Sequence, residues 1–116
     1  MKKYITILIA LYIFLCIGCK SGCQDVREHC MTLNYYFMIT AKSKDRFIEL
    51  KGVDKNYNKI DFKEFEHWNI YNSVEIGDTL VKKSGETEIL LIKNDTTLVF
   101  PLVCDGRIID KFGKMW

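Results

Sequence analysis

The chain is poor in the residues that interrupt or diversify a fold. It has one proline, Pro101, and two histidines, His29 and His67, in 116 residues. It also lacks low-complexity tracts. With so little proline and with aromatic and aliphatic residues spread along its length, the chain has the apolar content to fold beyond its N-terminal segment. Known catalytic signatures are missing too: the sequence contains no nucleophile elbow, no glycine-rich phosphate loop and no H-E-x-x-H. Basic stripes are absent as well. After residue 18 the only adjacent basic pair is Lys82-Lys83, which reads as a solvated strand end. A nucleic-acid binder needs a basic face, so that class is excluded.

What is present begins at the N-terminus. Met1-Lys2-Lys3 is followed by "YITILIALYIFLCI", Tyr4 to Ile17, apolar except for Thr6. This run is shorter than the roughly 20 residues that span a bilayer as a helix. A basic start, an apolar middle and a small residue before a polar break describe a secretory signal peptide, here residues 1–18. An uncleaved anchor and a buried helix are the alternatives. Removing 18 of the 116 residues leaves 98, enough for one domain. The chain has 17 basic and 15 acidic residues; the leader takes Lys2 and Lys3, and the remaining side chains sum to zero charge.

At the end of the leader, "LCIGC", Leu15 to Cys19, resembles the lipobox of bacterial lipoproteins. Gly18 and Cys19 match that motif; Cys16 stands where the family prefers Leu, with Leu15 one step earlier. The resemblance implies a diacylglycerol thioether on Cys19, which would become the mature N-terminus, with its amine acylated in turn. Two or three acyl chains hold a protein stably where one does not. Lys20 is not the Asp that retains many enterobacterial lipoproteins at the inner membrane. The expected location is therefore the cell envelope, at the outer membrane. The stretch Val74 to Phe100, with Gly77-Asp78-Thr79-Leu80-Val81-Lys82-Lys83 entering a strand, also resembles small lipoproteins of Bacteroidetes-type bacteria. Those lipoproteins have no assigned activity, and the resemblance transfers no catalytic residue.

The five cysteines divide by this reading. Cys16 leaves with the leader and Cys19 is lipidated. Cys16-Ile-Gly-Cys19 has redox C-x-x-C form but lies in the apolar run, away from any βαβ pattern. His29, Cys30, His67 and Cys104 lack zinc-ligand spacing, and no metal or cofactor is expected. Cys23, Cys30 and Cys104 remain, in a compartment that permits disulfides. If 23–30 is helical its ends lie about 10 Å apart at ~1.5 Å per residue, beyond the ~7 Å Cα limit of a disulfide. Cys30–Cys104 is then the preferred pair, with buried free thiols as the alternative and Cys23 left unpaired in a flexible tether.

Residues 19–32 read as a lipidated tether with a short helix, in which Val26, Cys30 and Leu33 fall at helical spacing and Asp25 offers a cap. Residues 33–116 read as one β-rich domain. Tyr35–Ala41 and Phe47–Val53 are strands separated by a polar break, and Ile60–Phe62 is a short one. Phe62, Phe65 and Trp68 recur every three residues, as in a short helix or an irregular loop. Turn pairs at Gly77-Asp78, Ser84-Gly85, Asn94-Asp95 and Asp105-Gly106 then separate β-favouring runs. The apolar run Ile89–Ile92 suggests a strand covered on both faces, and Pro101 implies an edge, a bulge or a strand switch. The fold class is mainly β: a small antiparallel meander, barrel- or sandwich-like, with one or two short helices, and α+β as the alternative.

A site is less visible. His67, between Glu66 and Trp68 with Asp61 and Glu64 near, is the best single candidate for a catalytic base. Sequence neighbours do not face one another, however, and a surface histidine is the simpler account. Asp78 has the ordinary role of a turn aspartate. Tyr57, Phe62, Phe65, Trp68 and Tyr71 form the densest aromatic cluster, a candidate binding surface for a protein or glycan of the envelope, with core packing as the alternative. The expectation is a membrane-anchored, non-catalytic binding or structural module. The alternative is a periplasmic inhibitor or immunity protein with a protein target.

Overall fold

The computed structural model describes residues 22–116, so Cys16, Cys19 and the leader lie outside the described residues. The chain runs through helix α1 (Gly22–Thr32), then strands β1 (Tyr35–Lys44), β2 (Ile48–Val53) and β3 (Lys59–Glu64). A 3₁₀ turn (Tyr71–Ser73) precedes β4 (Thr79–Lys82), β5 (Ile89–Ile92), β6 (Thr97–Phe100), β7 (Val103–Cys104) and β8 (Arg107–Ile108). The fold is mainly β, as composition and turn spacing predict. Six strands form one antiparallel sheet in the order β3-β2-β1-β4-β5-β6, and β7 and β8 pair separately. The sheet is open, ending at β3 and β6 rather than closing into a barrel.

The sheet is two meanders joined through β1. Tyr35 to Met38 pair with β4, whereas Met38 to Lys44 pair with β2. The register slips between Ile39 and Ala41, where Thr40 is the extra residue of a bulge. Opposite the bulge stands Gly52, paired with Ile39. A Cβ at Gly52 would run into the Met38 carbonyl oxygen and the Phe37 ring. The bend in β1 therefore requires glycine on its neighbour. The polar stretch after Ala41 does not end β1, as its composition suggests. Lys42 and Lys44 continue the strand, and both ammonium groups lie over the Tyr71 ring, at 4.7 and 5.7 Å from its centroid.

Alternation along the strands sorts the two faces. Phe37, Ile39, Ile48, Leu50, Phe62, Leu80, Ile89 and Leu91 are buried on one face. That inner face is covered by α1 through Cys23, Val26 and Cys30, by the β3–β4 crossover through Trp68, Ile70 and Val74, and by Leu102 and Ile109. The aromatic repeat at Phe62, Phe65 and Trp68 is not helical: Phe62 belongs to β3 and the rest is irregular until Tyr71. Glu66 holds that loop, accepting hydrogen bonds from the Ile70 and Tyr71 amides at 3.0 and 3.3 Å. Pro101 marks a strand switch, separating edge strand β6 from β7.

Two expectations about the N-terminal segment are corrected. Cys23 is not in a tether: α1 starts at Gly22 and Cys23 is buried. Its partner is Cys104, with Cα atoms 5.7 Å apart, so the Cys30–Cys104 pairing does not form and Cys30 is a buried free thiol. Both cysteines face inward because seven residues make nearly two helical turns. Which of them meets β7 depends on the direction in which α1 lies across the sheet, and that is a tertiary property. A third correction concerns Lys82. It is wholly buried on the inner face, not a solvated strand end. Its ammonium donates to the Lys83 and Leu33 carbonyls at 2.8 and 3.2 Å. Burial lowers its pKa, partly offset by the neighbouring Cys30 and Glu86.

Candidate functional site

The sequence-derived aromatic cluster does not form one surface. Phe62 and Trp68 are core residues 6.0 Å apart, and the Trp68 indole N–H donates to the Thr87 carbonyl at 2.9 Å. Phe65 packs on Phe47 with ring centroids 4.4 Å apart. Tyr71 lies beneath Lys42 and Lys44. Tyr57 alone stands fully out, in the β2–β3 turn at positive φ. Aromatic density in the sequence thus marks where the crossover closes the core.

His67 is half-buried, edge-on to Phe65 and Trp68. Burial pushes its imidazole below the ordinary value, against the opposing pull of Glu64 and Glu66. Neither acid serves as its orienting partner. Glu64 Oε2 is 3.1 Å from His29 Nε2, and Glu66 caps the loop backbone. Asp78 is engaged structurally: its Oδ2 accepts from the Glu75 amide at 2.9 Å and pairs with Lys93 Nζ at 2.6 Å. That bond holds the Lys93 ammonium above its usual value. Among the described residues the one grouping of ligand-type atoms is Cys23, Cys104 and Asp105. Its two sulfurs are bonded to each other, and neither is a thiolate free to bind metal.

The arrangement that offers a surface is the other face of the sheet. Tyr36, Val81, Leu90 and Val99 stand directly opposite one another on β1, β4, β5 and β6. A second row beside it runs through Val53, Met38, Thr79, Ile92 and Thr97. Tyr36, Met38 and Val99 are exposed, Leu90 and Ile92 are half-buried, and Val81 is buried between them. The apolar run Ile89–Ile92 is therefore covered fully on one face only, contrary to the expectation of cover on both. Two shallow clefts lie on this face. One of about 360 Å³ is lined by Tyr36, Met38, Val53 and Tyr57. The other, of about 480 Å³, is lined by Thr40, Lys51, Val53 and Lys59. Lys55 Nζ sits 4.6 Å from the Tyr36 ring centroid at the rim. A further cleft of about 520 Å³, at the β1–β2 tip, is lined by Ser43, Lys44, Asp45 and Arg46. His67 lines none of these three.

The two edges of the sheet differ. β3 presents Lys59, Asp61, Lys63 and Glu64, a charged edge of the kind that resists pairing. β6, Thr-Leu-Val-Phe, has no charge. The Lys93 amide bonds to the Thr96 carbonyl, and the ladder continues with Ile92 opposite Thr97. Antiparallel alternation then turns the N–H and C=O groups of Thr97 and Val99 away from β5, toward the open edge. The apolar row thus ends at an edge able to accept another strand. Period-two alternation was its only signal in the sequence, hidden because both faces of β5 are apolar.

No family model, curated protein or solved structure matches the chain. No helix of the described residues is long and apolar enough to cross a membrane.

Proposed function

We propose that the protein is a lipid-anchored, non-catalytic binding module of the cell envelope, held at the outer membrane through Cys19, that takes a protein partner on its uncovered sheet face. The observation that carries the reading is the row Tyr36–Val81–Leu90–Val99 reaching an uncharged, unpaired edge. Main-chain bonds at such an edge supply affinity, and the side chains beside it supply selectivity. The anchor rests on the likeness of Leu15–Cys19 to a lipobox. The engagement of Glu64 and Glu66 away from His67 supports the non-catalytic part.

Affinity capture from envelope extract with the lipidated chain, beside Leu90→Asp and Val99→Lys, tests this. A partner retained by the parent and lost from both variants is expected. Retention unchanged in both removes the face from the reading. One stoichiometric enzyme or toxin among the captured proteins favours the inhibitor or immunity alternative.

A further inference from the structure

A second exposed apolar group belongs to the hairpin that packs with the inner-face core. Ile109 and Met115 form an antiparallel bridge, and the Trp116 amide donates to the Ile108 carbonyl at 2.8 Å. Asp110 closes the turn between them, accepting from the Phe112 and Lys114 amides at 2.9 Å each. Ile109 and Met115 point into the core, so their neighbours Ile108 and Trp116 point away from it. Phe112, Trp116 and Ile108 are 82%, 65% and 42% exposed. Lys111 Nζ lies 5.5 Å from the Phe112 ring centroid and Lys114 Nζ 4.1 Å from that of Trp116.

Rings beside flexible ammonium groups suit the boundary between lipid headgroups and acyl chains, where the ring is half desolvated and the charge stays wet. Acids are also close: Glu86 pairs with Lys111 at 3.1 Å, the Asp110 carboxylate sits against the Trp116 side chain, and Asp105 is nearby in sequence. The chemistry of this hairpin is therefore aromatic and interfacial more than electrostatic.

Its position supplies the occupant. The turn is fastened to the start of α1: Gln24 Nε2 donates to the Gly113 carbonyl at 3.1 Å, and Arg27 Nη1 to that of Lys111 at 3.0 Å. Cys19 is three residues before Gly22, so it lies within about 11 Å of the helix start however the chain runs. We propose that the hairpin of Ile108, Phe112 and Trp116 is a second membrane contact, seating the domain on the bilayer that carries its acyl chains. This rests on the lipid-anchor reading. An anchor a few residues away makes a weak contact effective, because the second binding event is then intramolecular. The uncovered sheet face lies on the opposite side of the sheet from α1, so such seating leaves it free.

The chain has two tryptophans, and Trp68 is buried, so Trp116 reports on this contact. Membrane-extracted protein is weighed intact, then reconstituted into phosphatidylethanolamine–phosphatidylglycerol vesicles containing brominated lipid, beside Trp116→Phe. Expected are a blue shift and a loss of the emission that Trp116→Phe lacks, with the Trp68 emission unquenched. Acylated protein whose Trp116 stays as open to aqueous iodide as it is without vesicles overturns the proposal. A mass without acyl chains removes the anchor reading instead. Trp116 quenching in that unacylated chain still supports the hairpin as a lipid contact, and its absence overturns it.

Discussion

Cys30 shows how far a residue's surroundings govern its chemistry. Its thiol is pushed up to about 12, first by burial and then by Glu64, with Lys82 opposing. A thiol held protonated is a poor nucleophile. Native protein at pH 8 should therefore resist iodoacetamide at Cys30, and unfolded, unreduced protein should take one label there, read by peptide mass. Labelling of Cys23 or Cys104 without reductant would contradict the disulfide. His67 gives a pH dependence. Its folded pKa lies below the ordinary 6.5, so the unfolded chain takes up the proton first as pH falls. The stability tied to its neutral form is present above that value and lost as pH drops through the folded pKa. Urea midpoints measured from pH 7.5 down to 5 should fall, and His67→Gln should flatten part of that fall. Neither shift is readable from sequence, because the first cause of both is burial, and burial arrives only with folding.

At the scale of elements, the β1 bulge and Gly52 form one device. Gly52→Ala should destabilise the domain by at least about 2 kcal/mol, since the new methyl meets backbone rather than a flexible side-chain end. Chemical denaturation measures this; a loss below half that figure would mean the bulge relaxes freely. Strand positions were largely legible: alternation at Ile48 and Leu50, the turn pairs and Pro101 all fall where the elements change. The crossover was not. Phe62, Phe65 and Trp68 imitate a helical repeat because the spacing that fills a core from an irregular loop need not differ from the spacing along a helix. Lys82 misled for a related reason: an adjacent lysine pair suggests solvent, yet alternation sends one of the pair inward.

Across the whole molecule, one covalent bond ties α1 to β7. Cys23 and Cys104 are separated by 81 positions, and closing so long a loop removes entropy from the unfolded chain worth about 4.5 kcal/mol in the chain-entropy description. Cys104→Ser should cost about 2–5 kcal/mol, while Cys30→Ala should leave the disulfide intact by non-reducing peptide mapping. The bond also fixes the helix start, whose Gln24 and Arg27 are fastened to the turn at Lys111 and Gly113. Local chemistry along the chain was enough to specify most strands and their turns, because alternation and turn residues act over a few positions; the short helix was also expected, but it starts at Gly22 and holds Asp25 inside its first turn instead of being capped by it. The pairing of Cys23 rather than Cys30, the burial of Lys82, the scattering of the aromatic cluster and the partly exposed apolar face ending at β6 were decided only by packing. Each depends on which surface of one element meets another, and that is settled by contacts between residues far apart in the chain.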